Sequence, residues 1–127
     1  MAGKISAITT TVTVASNNIS NDVLSLSFDT PYGTQEITGL DKSAVEKLLL
    51  RADCTGSLTF AFNVDASRSH ATLKTPGSKT FVILFGGAAT ATFTAITSNY
   101  ALDVGNDGSV TGSCNWELSS GTAVAWT

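Results

Sequence analysis

The sequence predicts a mainly β fold: a β-sandwich or barrel of seven or eight strands flanked by one α-helix at about residues 42–52. Three observations predict it. Several segments alternate apolar and polar residues with a period of two, which sends one set of side chains to a core and the other to solvent. Short clusters of Gly, Asn, Asp and Ser separate them, supplying the dihedrals of tight turns. One stretch, Lys42 to Ala52, changes to a helical period instead. The 127 residues are read as one domain, 1–127, long enough to bury a core without metals or disulfides.

The elements follow in chain order. KISAITTTVTV (4–14) is β-branched and runs into turn formers at Ala15–Asp22. Leu24, Leu26 and Phe28 then share a face, with Ser25 and Ser27 opposite, so this strand is half-buried and reads as a hairpin with the first. Pro31 and Gly33 break the run, because proline cannot donate to a ladder. Ser43-Ala44-Val45-Glu46 fits a capping box, in which hydroxyl and carboxylate satisfy orphan N–H groups reciprocally. Val45, Leu48, Leu49 and Ala52 form one apolar stripe at i, i+3, i+4 and i+7, expected to dock on the sheet.

After Cys54 the period is two: Leu58, Phe60, Phe62 and Val64 point one way, Ser57, Thr59 and Asn63 the other. Residues 65–79 are polar and turn-rich, with a short helical turn around His70 to Leu73. KTFVILF is apolar on both faces and belongs inside a sheet. Gly86-Gly87 marks a turn before the Thr/Ala strand that carries Phe93. Asn99–Val104 and Ser109–Ser119, joined by Gly105-Asn106-Asp107-Gly108, form a hairpin. The expected core is Val45, Leu48, Leu49, Leu58, Phe60, Phe62, Phe81, Ile83, Phe85 and Trp116.

Charged residues make up only 13% of the chain against roughly 25% in an ordinary soluble domain, and mean hydropathy is +0.20, which fits equally a surface that tolerates close approach by other proteins and a Thr-rich β domain that simply stays soluble. Seven Lys and Arg against ten Asp and Glu leave a net charge of −3, which argues against counterion-releasing DNA binding. MAGKISAITT has no apolar signal-peptide core and no segment is long enough to span a membrane, so synthesis in the cytoplasm is expected. Cys54 and Cys114 match no metal spacing and read as buried thiols rather than a disulfide.

Catalytic chemistry is not legible. The single histidine, His70, follows Ser69, and sequence adjacency does not make a nucleophile–base pair. One His without a second cannot supply a three-ligand zinc site. DVGNDGSV lacks the spacing of a calcium loop and suits a hairpin turn. No phosphate loop or paired carboxylates stand out, so no catalytic, metal or cofactor residues are assigned and none are expected. Tyr32 and Trp126 lie away from the core phases; Tyr32, beside Pro31 and Gly33, reads equally as a loop anchor or an interface anchor.

ITGLDKSAVEKLLLRADCTGSLTFAFN, then SRSHATLK, then NYALDVGNDGSVTGSCNWELSSGTAVAW, resembles the major tail proteins of long-tailed bacteriophages, the subunits of the tail tube. The resemblance covers about two thirds of the chain and rests on the order of its features rather than on any single motif. It implies a β-sandwich or barrel beside a helix, assembled as hexameric rings stacked into a hollow virion tube. Partners would be further copies of the chain, the tape-measure protein, and tail terminator or baseplate proteins. DNA would pass without specific binding past Asp and Glu on polar strand faces. From loop length and composition, Ala15–Asp22, Asp29–Gly39 and Asp65–Lys79 are the expected inter-subunit segments, with Asn17, Asn18, Pro31, Tyr32, Gln35, Arg68, His70 and Pro76 as candidate contacts. A capsid-decorating or head–tail joining protein shares the low charge and β content and is the alternative; a carbohydrate- or receptor-binding β-sandwich fits less well.

Overall fold

A computed structural model describes residues 6–127. The strands are β1 (Thr11–Val14), β2 (Asn17–Asn18), β3 (Val23–Asp29), β4 (Tyr32–Glu36), β5 (Lys47–Ala52), β6 (Thr55–Ala61), β7 (Gly77–Phe85), β8 (Ala89–Val104), β9 (Val110–Leu118) and β10 (Ala125–Trp126). One short helix, α1 (Ser69–Leu73), lies between β6 and β7. Eight strands form a single antiparallel sheet in the order β2-β1-β7-β8-β9-β6-β3, with β10 added to β8. β4 and β5 stand apart as a two-stranded ribbon.

The sheet curls because β8 is long and serves two neighbourhoods. Its first half pairs with β7 on one side and β10 on the other, and its second half pairs with β9. The register slips between Thr97 and Asn99, where the strand changes partners. Curling brings Phe28, on the edge strand β3, to within 5.6 Å of Phe85 on β7 and 5.8 Å of Trp126 on β10. Inside, Phe81, Phe93 and Trp116 lie together, and Val12, Val14, Ile19, Leu58, Phe60, Leu73, Ile83, Ala91, Ala95 and both cysteines complete the core. β7 lies between β1 and β8, in keeping with its two apolar faces.

The β8–β9 hairpin has the register its turn residues demand, closing at Val104 and Val110. β1 and β3, in contrast, are not partners. β1 turns into β2 through Ala15 and Ser16, both with positive φ, and then pairs with β7, while β3 pairs with β6. Mutual patterning says that two strands are half-buried and not which neighbour each takes.

The largest correction concerns residues 42–52. The expected flanking helix is absent: the segment forms the bend at the ribbon tip and then strand β5, antiparallel to β4 with Gln35 opposite Leu48 and Glu36 opposite Lys47. Val45, Leu48 and Leu49, expected in the core, are 65%, 49% and 63% exposed. Phe62, also expected in the core, lies half-buried just beyond β6, against the His70 ring. Phe85 is half-buried at the core margin and packs on it.

Asp22 joins the two polar loops at one end of the sheet. Its carboxylate accepts hydrogen bonds from Asn63 Nδ2 at 3.0 Å and from the Ser69 N–H, the first of α1, at 3.1 Å. A buried carboxylate is tolerable only when donors replace its water in this way.

Candidate functional surfaces

Three surfaces stand out, and each is positioned by β3 and its neighbours. The first is the outer face of β3, β6, β9 and the second half of β8. Antiparallel partners share a face, so the register itself defines the rows. Asp29, Thr55, Glu117 and the exposed Ile96 form one row, and Ser27, Ser57, Asn115 and Asn99 the next. Ser25, Thr59, Ser113 and Ala101 follow, then Ala61, Thr111 and Asp103. The opposite parity carries Leu58, Phe60, Cys114 and Trp116 into the core. What remains outside is a field of hydroxyls, amides and small side chains with one exposed isoleucine, Ile96, three carboxylates and no Lys or Arg. A shallow hollow crosses it between Thr59, Ala101, Asp103, Thr111 and Ser113.

The second surface is the ribbon, which leaves the body at the carboxyl end of β3. Its root is closed by a hydrogen bond from Asp53 N–H to the Pro31 carbonyl at 2.8 Å. At the tip, the Glu46 N–H donates to Thr38 Oγ1 at 2.8 Å and the Ile37 N–H to the Glu46 carbonyl at 2.9 Å. Ile37, Leu48 and Leu50 therefore share one face with Gln35, and all three aliphatics are exposed. Lys47 and Leu49 face the other way with Thr34 and Glu36. A two-stranded ribbon is at best marginally stable alone in water. Its apolar face asks for cover.

The third surface lies at the opposite end of β3, about 20 Å away at the usual rise per strand residue. Loops 15–22 and 62–74 meet there: Asn17 Nδ2 donates to Thr72 Oγ1 at 3.3 Å, and Arg68 Nη1 to the Asn18 carbonyl at 3.5 Å. They rim an open polar concavity with Ser16, Ser20, Asn21 and Ser67.

The expected contact residues thus divide between the two ends. Asn17, Asn18 and Arg68 come together at the polar concavity, while Pro31, Tyr32 and Gln35 lie on the ribbon and its root. His70 and Pro76 belong to neither. Pro76 borders a small hollow with Leu73, Tyr100 and Cys114. His70 Nδ1 lies 2.8 Å from Tyr100 Oη, between the rings of Phe62 and Tyr100. Ser69 Oγ donates to the Ala61 carbonyl, so the adjacent Ser–His pair has no nucleophile geometry. Among the described residues, no group of three or more His, Cys, Asp or Glu could hold a metal ion. No described helix is long and apolar enough to cross a membrane.

Both cysteines are free and buried. Burial pushes the Cys54 thiol up, and pushes Cys114 up to about 11 from 9.0. The thiolate is the nucleophile, so both thiols are expected to resist a disulfide reagent at pH 8 and to react once the chain is unfolded in denaturant. Because the folded pKa of Cys114 is the higher, the unfolded chain loses its proton first. Stability is therefore expected to be flat below pH 9 and to fall as pH rises towards about 11.

Solved structures share this fold, among them two of gene transfer agent particles. One, described as the tail of an empty gene transfer agent particle determined by helical refinement with C6 symmetry, matches with a TM-score of 0.69 at 11% identity, covering 84% of this chain and 82% of that one. The other, described as the virion of a native gene transfer agent particle, matches with a TM-score of 0.73 at 9% identity, covering 91% of this chain and 95% of that one. No family model and no curated sequence matches. The shared fold is of the kind that the sequence resemblance to phage tail proteins implies.

Proposed function

We propose that this chain is a structural subunit of a phage-type tail tube, in which copies form hexameric rings and the rings stack around a channel that passes DNA; the similar gene transfer agent tail is described with C6 symmetry. The observation that carries the reading is the four-stranded outer face with three carboxylates and no cation. Turned to a channel, such a wall offers phosphates no counterion-releasing partner, so a duplex slides past instead of sticking. The two ends of the subunit support it as well. The subunit's ends are unlike, an apolar ribbon at one and a polar concavity at the other; in the proposed rings each end would meet a different surface of a neighbouring copy, and such heterologous contacts propagate into rings and filaments.

In this role the tape-measure protein and the tail terminator or baseplate proteins are the further partners, the particle is the virion, and no catalysis is required. The test is negative-stain electron microscopy of the purified chain. Tubes with a central channel are expected. Leu48→Ser with Leu50→Ser, which leaves every buried residue in place, is expected to give folded subunits that no longer polymerise. Isolated globules from the wild-type chain would overturn the tube and favour a decorating or joining protein.

A further inference from the structure

The turn between β8 and β9 holds the one Asp–Gly bond of the sequence, Asp107–Gly108, and the sequence has no Asn–Gly. Such a bond isomerises without an enzyme. The glycine's backbone nitrogen attacks the aspartate Cγ and gives up its proton to solvent, while the carboxyl hydroxyl leaves as water and a five-membered imide closes. Water then opens the imide at the main-chain carbonyl carbon, and the chain afterwards runs through Cβ and Cγ. One water is lost and one regained, so the product is isoaspartate of unchanged mass. Glycine favours the attack because no side chain shields its nitrogen. Both residues are exposed here, so solvent reaches the bond.

The local geometry opposes each requirement of that reaction. The Gly108 N–H donates to the Gly105 carbonyl at 3.1 Å, and the Gly105 N–H to the Ser109 carbonyl at 2.8 Å. Neither Asn106 nor Asp107 has a positive φ, whereas Gly108 has φ 93°. The loop is therefore a type I turn followed by a left-handed residue. A ψ of about 0° at the third residue of such a turn holds the Gly108 nitrogen out of the plane in which the imide would close. The carboxylate is held as well. Asp107 Oδ1 accepts from the Ser109 Oγ–H at 2.8 Å and from the Ser109 N–H at 3.1 Å. These hydrogen bonds, the hydroxyl's first, keep the carboxyl below its usual range, and an ionised carboxylate has no hydroxyl to lose. Gly105 makes room for the clasp: a Cβ there would meet Asp107 Oδ1 at 2.6 Å and Ser109 Oγ at 2.7 Å. Its φ is not positive, so glycine serves the clasp at this position and not a special dihedral.

We propose that Asp107–Gly108 is the chain's site of spontaneous aspartate isomerisation, and that Ser109, seated over Gly105, guards it. An isoaspartate adds an atom to the main chain inside the turn and so breaks the closure at Val104 and Val110. The next pair inward, Asp103 and Thr111, lies on the carboxylate face, which loses its register from that end. The inference concerns the folded subunit alone and stands without the tube reading.

The experiment ages the full chain at neutral pH in water enriched in oxygen-18, where each opening of the imide adds one heavy oxygen, and places the label by tandem mass spectrometry. The folded wild-type chain is expected to take up label at Asp107 about tenfold more slowly than the same chain in denaturant, the weight of one hydrogen bond to a charged group. Ser109→Ala and Gly105→Ala, with circular dichroism unchanged, are expected to raise the folded rate by about tenfold for the same reason. Ser109→Thr keeps the hydroxyl and is expected to stay near the wild-type rate. Asp107→Glu, which would need a slower six-membered closure, is expected to abolish the label. Folded wild-type chain labelling as fast as in denaturant, a comparison that needs no variant, would overturn the guard. So would Ser109→Ala at the wild-type rate. Label gathering mainly at another aspartate would overturn the site.

Discussion

Trp116→Ala is expected to lower stability by about 3–5 kcal/mol, the range for truncating a large buried aromatic. The indole is almost fully buried, and its ring centroid lies 5.1 Å from Phe81, 6.0 Å from Phe93 and 6.4 Å from Phe28. Those three rings come from β7, β8 and β3, so Trp116 ties together strands that the sheet order places far apart. A domain of this size has only about 5–15 kcal/mol to lose, and loss of this residue consumes a large part of it. Denaturant unfolding followed by fluorescence and circular dichroism would show the midpoint drop with little change in slope.

The same contact can be broken from the other side. A Cβ on Gly56 would run into the Trp116 ring and the Ser27 carbonyl, so Gly56→Val is expected to be comparably damaging through overpacking. Trp116→Phe is expected to be the mild member of the series. It keeps most of the ring area and removes Nε1, a buried N–H without a hydrogen-bond partner. A Phe variant as damaged as the Ala variant would show that the indole's second ring, not its place among the three phenylalanines, holds the sheet closed.

Most of the body was legible in the sequence because its signal is local. The alternation of Leu58 and Phe60 with Ser57 and Thr59, and of Cys114 and Trp116 with Ser113 and Asn115, reports a one-sided sheet directly. The Gly105–Gly108 turn reports its hairpin in the same way. The short helix around His70 was legible too, at Ser69–Leu73. Pairing between distant strands was not legible, since nothing in Leu24, Leu26 and Phe28 names β6 as the partner. The ribbon was misread for a different reason. Its leucines are spaced for a helix, and the strand they form makes sense only with a surface outside the chain. The carboxylate face falls between these cases: each strand shows its polar parity, but only the register aligns Asp29 with Glu117 across Thr55.

That alignment leads to the largest expected functional effect. Replacing Asp29, Asp103 and Glu117 by Lys changes each position by two charges and takes the chain from −3 to about +3. All three side chains are exposed and none packs in the core, so the subunit is expected to fold and to polymerise as before. The channel wall would change character completely. Each lysine that meets a phosphate releases a counterion, with affinity falling by a log–log slope of about 0.9 per neutralised phosphate on duplex DNA. Tubes of the triple variant are therefore expected to retain a short fluorescent duplex at low salt and to release it steeply as salt rises, whereas wild-type tubes retain none. The neutral set Asp29→Asn, Asp103→Asn and Glu117→Gln separates loss of repulsion from gain of attraction, and is expected to retain far less DNA than the lysine set. If lysine tubes form and still leave DNA free at low salt, this face does not line the channel, and the uncharged outer surface of β1, β7 and the first half of β8 becomes the candidate wall. The distinction is sharp because Thr13, Val82, Thr92 and Leu84 there offer phosphates neither attraction nor repulsion.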